Sequence, residues 1–373
     1  MYICGKRKKS MKEPKPTYKR QGNISLFDNE ETMEKLNAMG NPLDRLSKVI
    51  DFEMFRETLE TALYKERLTG AGAKPYDYVL MFKVLVLQRM NNLSDARTEY
   101  QIRDRLSFRE FLGLSGGDKV PDEKTIWAFR EELVKKNVFD SLFNQFFQFL
   151  KERNLILNEG VMVDGSFVEV PRQRNTREEN KRIKEGDGDK LWQTEEGDAE
   201  RERKRKANKR KQKDTDARWT KKGGEEHFGY KNHIKVDKGS KLIKKAVTTD
   251  ASVHDSQPVK ELVDENDRGQ ELFADSAYIG KGVKRVMRKY RMKDRVIKRN
   301  TRGKKISKRQ ETINKKNSKL RVRVEHVFGY CEQSLHGMRS RVVGFARNAA
   351  GNTLTNLVYN MNRYEQIIRL GIN

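Results

Sequence analysis

Only two cysteines occur in 373 residues, Cys4 and Cys331, and they lie far apart. No CxxC pair or Cys/His cluster accompanies them, so neither a disulfide framework nor a zinc site is expected. Histidine is scarce as well, with five residues, which leaves little for a histidine-ligated metal centre. No apolar run approaches the roughly 18–20 residues that span a bilayer, so no membrane role is expected. The basic N-terminus, MYICGKRKKSMKEPKPTYKRQGN, has no apolar stretch behind it to act as a secretory signal, and the chain is expected in the cytoplasm. Acids are the last shortage: 54 Asp and Glu face 80 Lys and Arg, a formal net charge of +26. An excess of that size repels itself and seeks a polyanion, with nucleic acid the first candidate. No aromatic signature of an RNA-recognition sheet accompanies it.

What is present divides the chain. Residues 1–40 are polar, basic and loosely patterned, and are expected to be largely disordered, with a short element near 24–38. Residues 41–157 carry apolar positions at helical spacing, among them Leu46, Val49, Phe55, Leu59 and Leu63. About six helices are expected there, with Ser94 and Asp122 as caps and Gly116–Gly117 as a stop. Short helices and tight turns between 94 and 135 leave room for a helix-turn-helix pair. Trp127 and the aromatics of FNQFFQFL read as core.

From 158 to 373 the pattern changes to a strand, a long charged stretch (171–226), a β-hairpin, and then alternating strands and helices. The charged stretch is so poor in apolar residues that it is not expected to order itself. Hairpin strands followed by strand–helix alternation argue for a mixed sheet with helices against it, an α+β or α/β arrangement.

Two strands of that region end in an acid. VMVDGSFVEVP (161–171) reaches Asp164, and ELFADSAY (271–278) reaches Asp275. Carboxyl ends of strands are where open sheets meet ligands. Asp164-Gly165 also reads as turn chemistry, and Asp275-Ser276 as a helix cap. Two carboxylates brought together repel unless a cation lies between them, and Mg²⁺ takes such oxygen donors. A third acid, Glu325 in KLRVRVEHVFGYCEQSL, borders a helical stripe of Val324, Phe328, Cys331 and Leu335, with Arg321 one turn before it. His254-Asp255 invites a second reading as a general base and its orienting acid, and His326 lies next to Glu325.

The blocks VMVDGSFVEVP, HFGYKNHIKVD, LFADSAY and RVRVEHVFG, in that order, resemble those of bacterial insertion-sequence transposases with a DDE triad, family five of those elements in particular. Residues 42–157 are similar to the N-terminal region of the same proteins. The resemblance implies a helical DNA-binding domain followed by an RNase H-like catalytic domain. It implies a triad of Asp164, Asp275 and Glu325 holding Mg²⁺, with Mn²⁺ as a substitute, and a role for Arg321 in the same motif. It implies double-stranded DNA as partner, at transposon ends and at the target, with a homodimer or larger assembly on paired ends of DNA in the bacterial nucleoid. Water would free a 3′-hydroxyl at the transposon end, and that hydroxyl would attack the target.

Two positions depart from the pattern. Ser318 stands where relatives often have Tyr, and Glu332 where they often have Lys. Lys319, Arg323, Arg339 or Arg341 are the candidates to contact DNA in their stead. The alternatives from other classes are a catalytically inactive, sequence-specific DNA-binding regulator derived from a transposase, and a nuclease that cuts without joining.

Overall fold

In the computed structural model the chain is described over residues 27–64, 74–195, 197–301 and 305–372. The disorder expected of residues 1–26 lies outside these. Asp28–Ala38 forms α1, Pro42–Val49 α2, Arg56–Leu63 α3 and Tyr78–Met90 α4. Asp95–Asp104 forms α5, Leu106–Leu112 α6, Glu123–Lys135 α7 and Val138–Glu152 α8. The side chains of Asn41, Asp77, Ser94 and Asp122 each accept a backbone N–H in the first turn of α2, α4, α5 and α7. Those bonds satisfy donors that a helix start would otherwise leave open. Helix α4 is apolar almost all round and central, with Phe82, Val84, Leu85, Val86 and Leu87 fully buried. Phe55 and Phe146 pack around it. Trp127 departs from expectation. It is 51% exposed, because Ile126 and Leu133 take the inner face of α7.

The second part is a mixed sheet. Its strands are β1 (Gly160–Glu169), β2 (Arg218–Lys222), β3 (Glu225–Asp237), β4 (Ile243–Asp250), β5 (Glu271–Phe273) and β6 (Lys293–Asp294). β1 pairs antiparallel with β3 and parallel with β5, and β6 extends the sheet parallel to β5. β3 is long enough to pair antiparallel with both β4 and β2. This mixed sheet behind a helical region, with a charged insertion after β1, is the RNase H-like arrangement that the strand order implied.

Helices cover both faces. α11 (Val259–Leu262) and α12 (Lys281–Lys289) close a core of Val161, Val163, Leu272, Ala274 and Tyr278 on one face. α13 (Lys308–Gln333) and α14 (Phe345–Leu370) cover the other, over Met162, Val168, Ile234 and Phe273. Helix α14 also packs on α2, α4, α7 and α8, so the helical part and the sheet share one apolar core. Its sheet-facing edge is polar and specific. Asn232 and Asn356 exchange amide hydrogen bonds of 2.9 and 3.2 Å, and Asn360 accepts from the Ile243 N–H and donates to the Ile243 carbonyl. Asn352 donates to Thr248.

The charged stretch 171–226 orders itself, contrary to the compositional expectation. It contains α9 (Arg177–Lys184), α10 (Glu200–Gln212) and β2. Thr176 and Glu179 form a capping box at the start of α9. Glu179 also receives Lys209 of α10 at 3.2 Å and the Trp192 indole at 3.2 Å. Ile183 and Leu191 are buried, a small apolar seat to which mutual charge pairing adds. No described helix is long and apolar enough to cross a membrane.

Candidate active site

Asp164 does not sit at a strand tip. β1 runs on through Asp164 and Gly165 to Glu169, and Asp164 lies opposite Ile234 of β3. What ends at this level is β5, whose pairing with β1 stops at Met162 against Phe273. Carrying that parallel register two residues further sets Asp275 beside Asp164. Strand alternation then fixes the face. Val161, Val163, Leu272 and Ala274 enter the core under α11 and α12, and Met162 and Phe273 enter the opposite one. Asp164 and Asp275 follow Met162 and Phe273, so both belong to the α13 face.

Gly165 is not a turn residue either. A Cβ there would meet Nδ1 of His233 at 2.6 Å. His233 is fully buried, with Nε2 2.9 Å from the Thr249 hydroxyl, so it has little room to yield. Gly165→Ala is expected to destabilise the fold by about 1–3 kcal/mol through overpacking. A denaturant midpoint equal to that of the wild type would show that His233 moves aside freely.

Helix α13 packs on β1 and β5 and brings Arg321 and Glu325 to the same region. Arg321 donates Nη1 to Asp164 Oδ2 at 3.2 Å and Nη2 to Glu325 Oε1. One guanidinium thus links acids 161 residues apart, with Asp164 15% and Glu325 50% exposed at the side chain. Asp164 Oδ1 accepts the Gly165 N–H at 2.9 Å. Burial pushes the Asp164 carboxyl up to about 6, and the charge of Asp275 adds to the rise. The Gly165 N–H, Arg321 and Lys222 pull the other way without cancelling it. Asp275 caps the short helical turn Ser276–Tyr278, accepting the Ala277 N–H at 2.8 Å.

These are hard oxygen donors with more negative charge than their surroundings neutralise. Such a pair suits Mg²⁺, which often takes only one or two carboxylates and keeps other positions for water and phosphate. Among the described residues no three His, Cys, Asp or Glu side chains converge as a metal cage. The fit is that of a two-aspartate site, with Glu325 engaged by Arg321.

The remaining sequence candidates scatter. Lys319 is exposed on α13. Arg323 donates to the Lys238 carbonyl at 2.8 Å, beyond the end of β3. His326 meets Lys241 at 3.2 Å in the β3–β4 turn rather than the aspartates. Arg339 lies in a segment that pairs with Glu169 at the far end of β1, and Arg341 follows it. Ser318 is half-buried and Glu332 exposed. His254 and Asp255 form no dyad. His254 Nδ1 meets Ser256, and Asp255 meets Lys231 at 2.9 Å.

Two neighbours of the acids escaped the sequence reading. Lys222, at the end of β2, acts electrostatically on Asp164 and lies 3.4 Å from Asp255. Nothing local distinguishes it among the many lysines of this chain. Tyr278 is buried with no hydrogen-bond partner for its hydroxyl, and burial with the nearby charges of Asp164, Asp255 and Asp275 raises its pKa well above the usual value. Its signal was its place three residues after Asp275.

Comparison with known proteins adds two family matches. A profile described as "Transposase DDE domain" matches residues 157–361, more than half of the chain. One described as "Transposase domain (DUF772)" matches residues 30–132. Among solved structures, the chain is similar to the cryo-EM structure of a piggyBac transposase synaptic complex with hairpin DNA. The identity is 12%, over 86% of this chain and 76% of that one, with a TM-score of 0.41.

Proposed function

Because the chain belongs to the family of transposase DDE domains, we propose that it is a DNA transposase that cuts at the ends of an insertion sequence and joins them to a target duplex. The observation that carries this reading is the common face of Asp164 and Asp275 on neighbouring parallel strands, beneath the helix that bears Arg321 and Glu325. In this reading the two aspartates hold Mg²⁺ or Mn²⁺, and Glu325 completes the ligand set. A bound cation supplies positive charge at the scissile phosphate and lowers the pKa of the attacking hydroxyl. Arg321 orients Glu325 and contributes its own charge toward phosphate. Basic stretches at 201–213 and 281–323 hold the backbone without reading sequence. The short helices between 94 and 135 read the terminal repeat, and a homodimer holds two ends together. The four sequence blocks support membership of family five of the bacterial insertion sequences.

The test is a labelled duplex ending in the element's terminal repeat, incubated with Mg²⁺. The wild type is expected to cut at the repeat end and to join it to target DNA, and Asp275→Asn to bind the duplex but do neither. Cutting by that variant at the wild-type rate would remove Asp275 from the site. Binding without cutting by the wild type would make the protein a regulator, and cutting without joining a nuclease.

A further inference from the structure

A cavity of about 280 Å³ opens where α4, α5 and α7 meet the segment 337–354. It is lined by five arginines and two acids. Both acids are already committed. Asp95 takes a two-pronged bond from Arg130 at 2.6 and 2.8 Å, and Glu131 takes one from Arg347 at 2.7 and 2.9 Å. The three arginines left over have no acidic partner among the described residues. Arg339 and Arg341 are exposed and make no side-chain bond there. Arg89 is largely buried. It donates Nη2 to the Leu335 carbonyl and to Asn92, while its Nε has no partner. Burial lowers the Arg89 pKa, and the charge of Arg341 lowers it further. Asn348, also in the lining, is 2% exposed, and its Oδ1 has no partner.

Unpaired guanidinium groups gathered in one concavity, with every acid there spoken for, describe a site short of an anion. The planar donor fork of arginine matches phosphate oxygens, and a hydrated phosphate brings donors for an open amide oxygen. The cavity also has a fixed relation to the acids. Val168, which lines it, is on the same face of β1 as Asp164 and four residues further along, about 13 Å away. The Glu169 N–H and carbonyl bond to Met338 and Ser340, so the strand bearing Asp164 is tied to the segment bearing Arg339 and Arg341.

We infer that this cavity is a phosphate-binding site formed by Arg89, Arg339 and Arg341, and that its occupant is a backbone phosphate of the DNA strand that crosses Asp164. The phosphate site stands on the cavity alone. Only the assignment of the phosphate to DNA rests on the proposed transposase activity.

Two measurements on the full chain and on the Arg339→Gln/Arg341→Gln variant test it, and neither needs cleavage. Both replaced residues are exposed, so the variant is expected to fold. Pyrophosphate, at matched ionic strength, is expected to raise the thermal midpoint of the wild type and not that of the variant. In fluorescence anisotropy with a labelled duplex, the slope of log affinity against log salt is expected to fall by as much as about 2 in the variant, at roughly 0.9 per phosphate contact. Loss of the pyrophosphate effect with an unchanged DNA slope would assign the cavity to a free phosphate ester and overturn the DNA half. An equal pyrophosphate effect on both proteins, with an unchanged slope, would overturn the whole inference.

Discussion

Asp164→Asn is expected to abolish Mg²⁺-dependent cleavage and, near neutral pH, to make the protein more stable than the wild type. The two effects share one cause. The Asp164 carboxyl is buried beside Asp275, and its pKa in the folded protein is raised to about 6, above the ordinary value of 3.8. The folded state therefore binds a proton more tightly than the unfolded chain. Stability from this group is complete below the unfolded value and is lost as pH rises through the folded one. A tenfold tighter hold on the proton is worth about 1.4 kcal/mol, so the ionised form costs roughly 2–3 kcal/mol near pH 7. Asparagine removes that cost, less what is lost when Arg321 keeps only Glu325 as partner. A gain of about 1–3 kcal/mol is expected near pH 7, shrinking to nothing near pH 4.

Denaturant unfolding of both proteins at the two pH values measures this. A variant no more stable than the wild type near pH 7 would mean that the Asp164 charge is adequately compensated in the fold. Adding Mg²⁺ separates the two roles. It should raise the thermal midpoint of the wild type, whose paired carboxylates gain a counter-ion, and leave the variant unchanged. Cleavage should fall by three orders of magnitude or more, at least about 4 kcal/mol of transition-state stabilisation.

Asp267→Ala is expected to produce the largest loss of stability. Asp267 is fully buried and receives Lys235 at 2.6 Å and Lys244 at 3.0 Å, both themselves buried. Asp264 adds a second carboxylate, 2.9 Å from Lys235. Such a network is balanced only when whole, and removing one carboxylate leaves an ammonium in the interior without its counter-charge. Breaking a buried pair in this way costs about 3–5 kcal/mol. Replacing the group with apolar residues of similar size, as in Lys235→Met/Lys244→Met/Asp267→Leu, is expected to restore much of the loss. A cost below about 1 kcal/mol for the single variant would mean that water reaches the network and screens it.

Much of the helical part was legible because its signals are local. A cap at Ser94 or Asp122 and an apolar stripe on α8 act within a few residues. Trp127 was misread because helical spacing does not say which side of a short helix turns inward. The insertion was misread because composition counts apolar residues but not partners. Glu179 alone collects Thr176, Trp192 and Lys209. The asparagines at 352, 356 and 360 recur every four residues along α14, a periodicity open to view, and yet their meaning lies in strands more than 100 residues earlier.

The candidate site divides in the same way. That Asp164 and Asp275 each follow an apolar run was set by the sequence alone, as was their alternation with Val163 and Ala274, because the pleat of a strand is a property of neighbouring residues. Which strands would lie side by side was not. Parallel pairing of β1 and β5, and the seating of Arg321 against an aspartate 157 positions earlier, depend on closing long loops around a shared core. Pairwise contacts at such separation are decided by what the whole chain can bury, which no short stretch of residues carries.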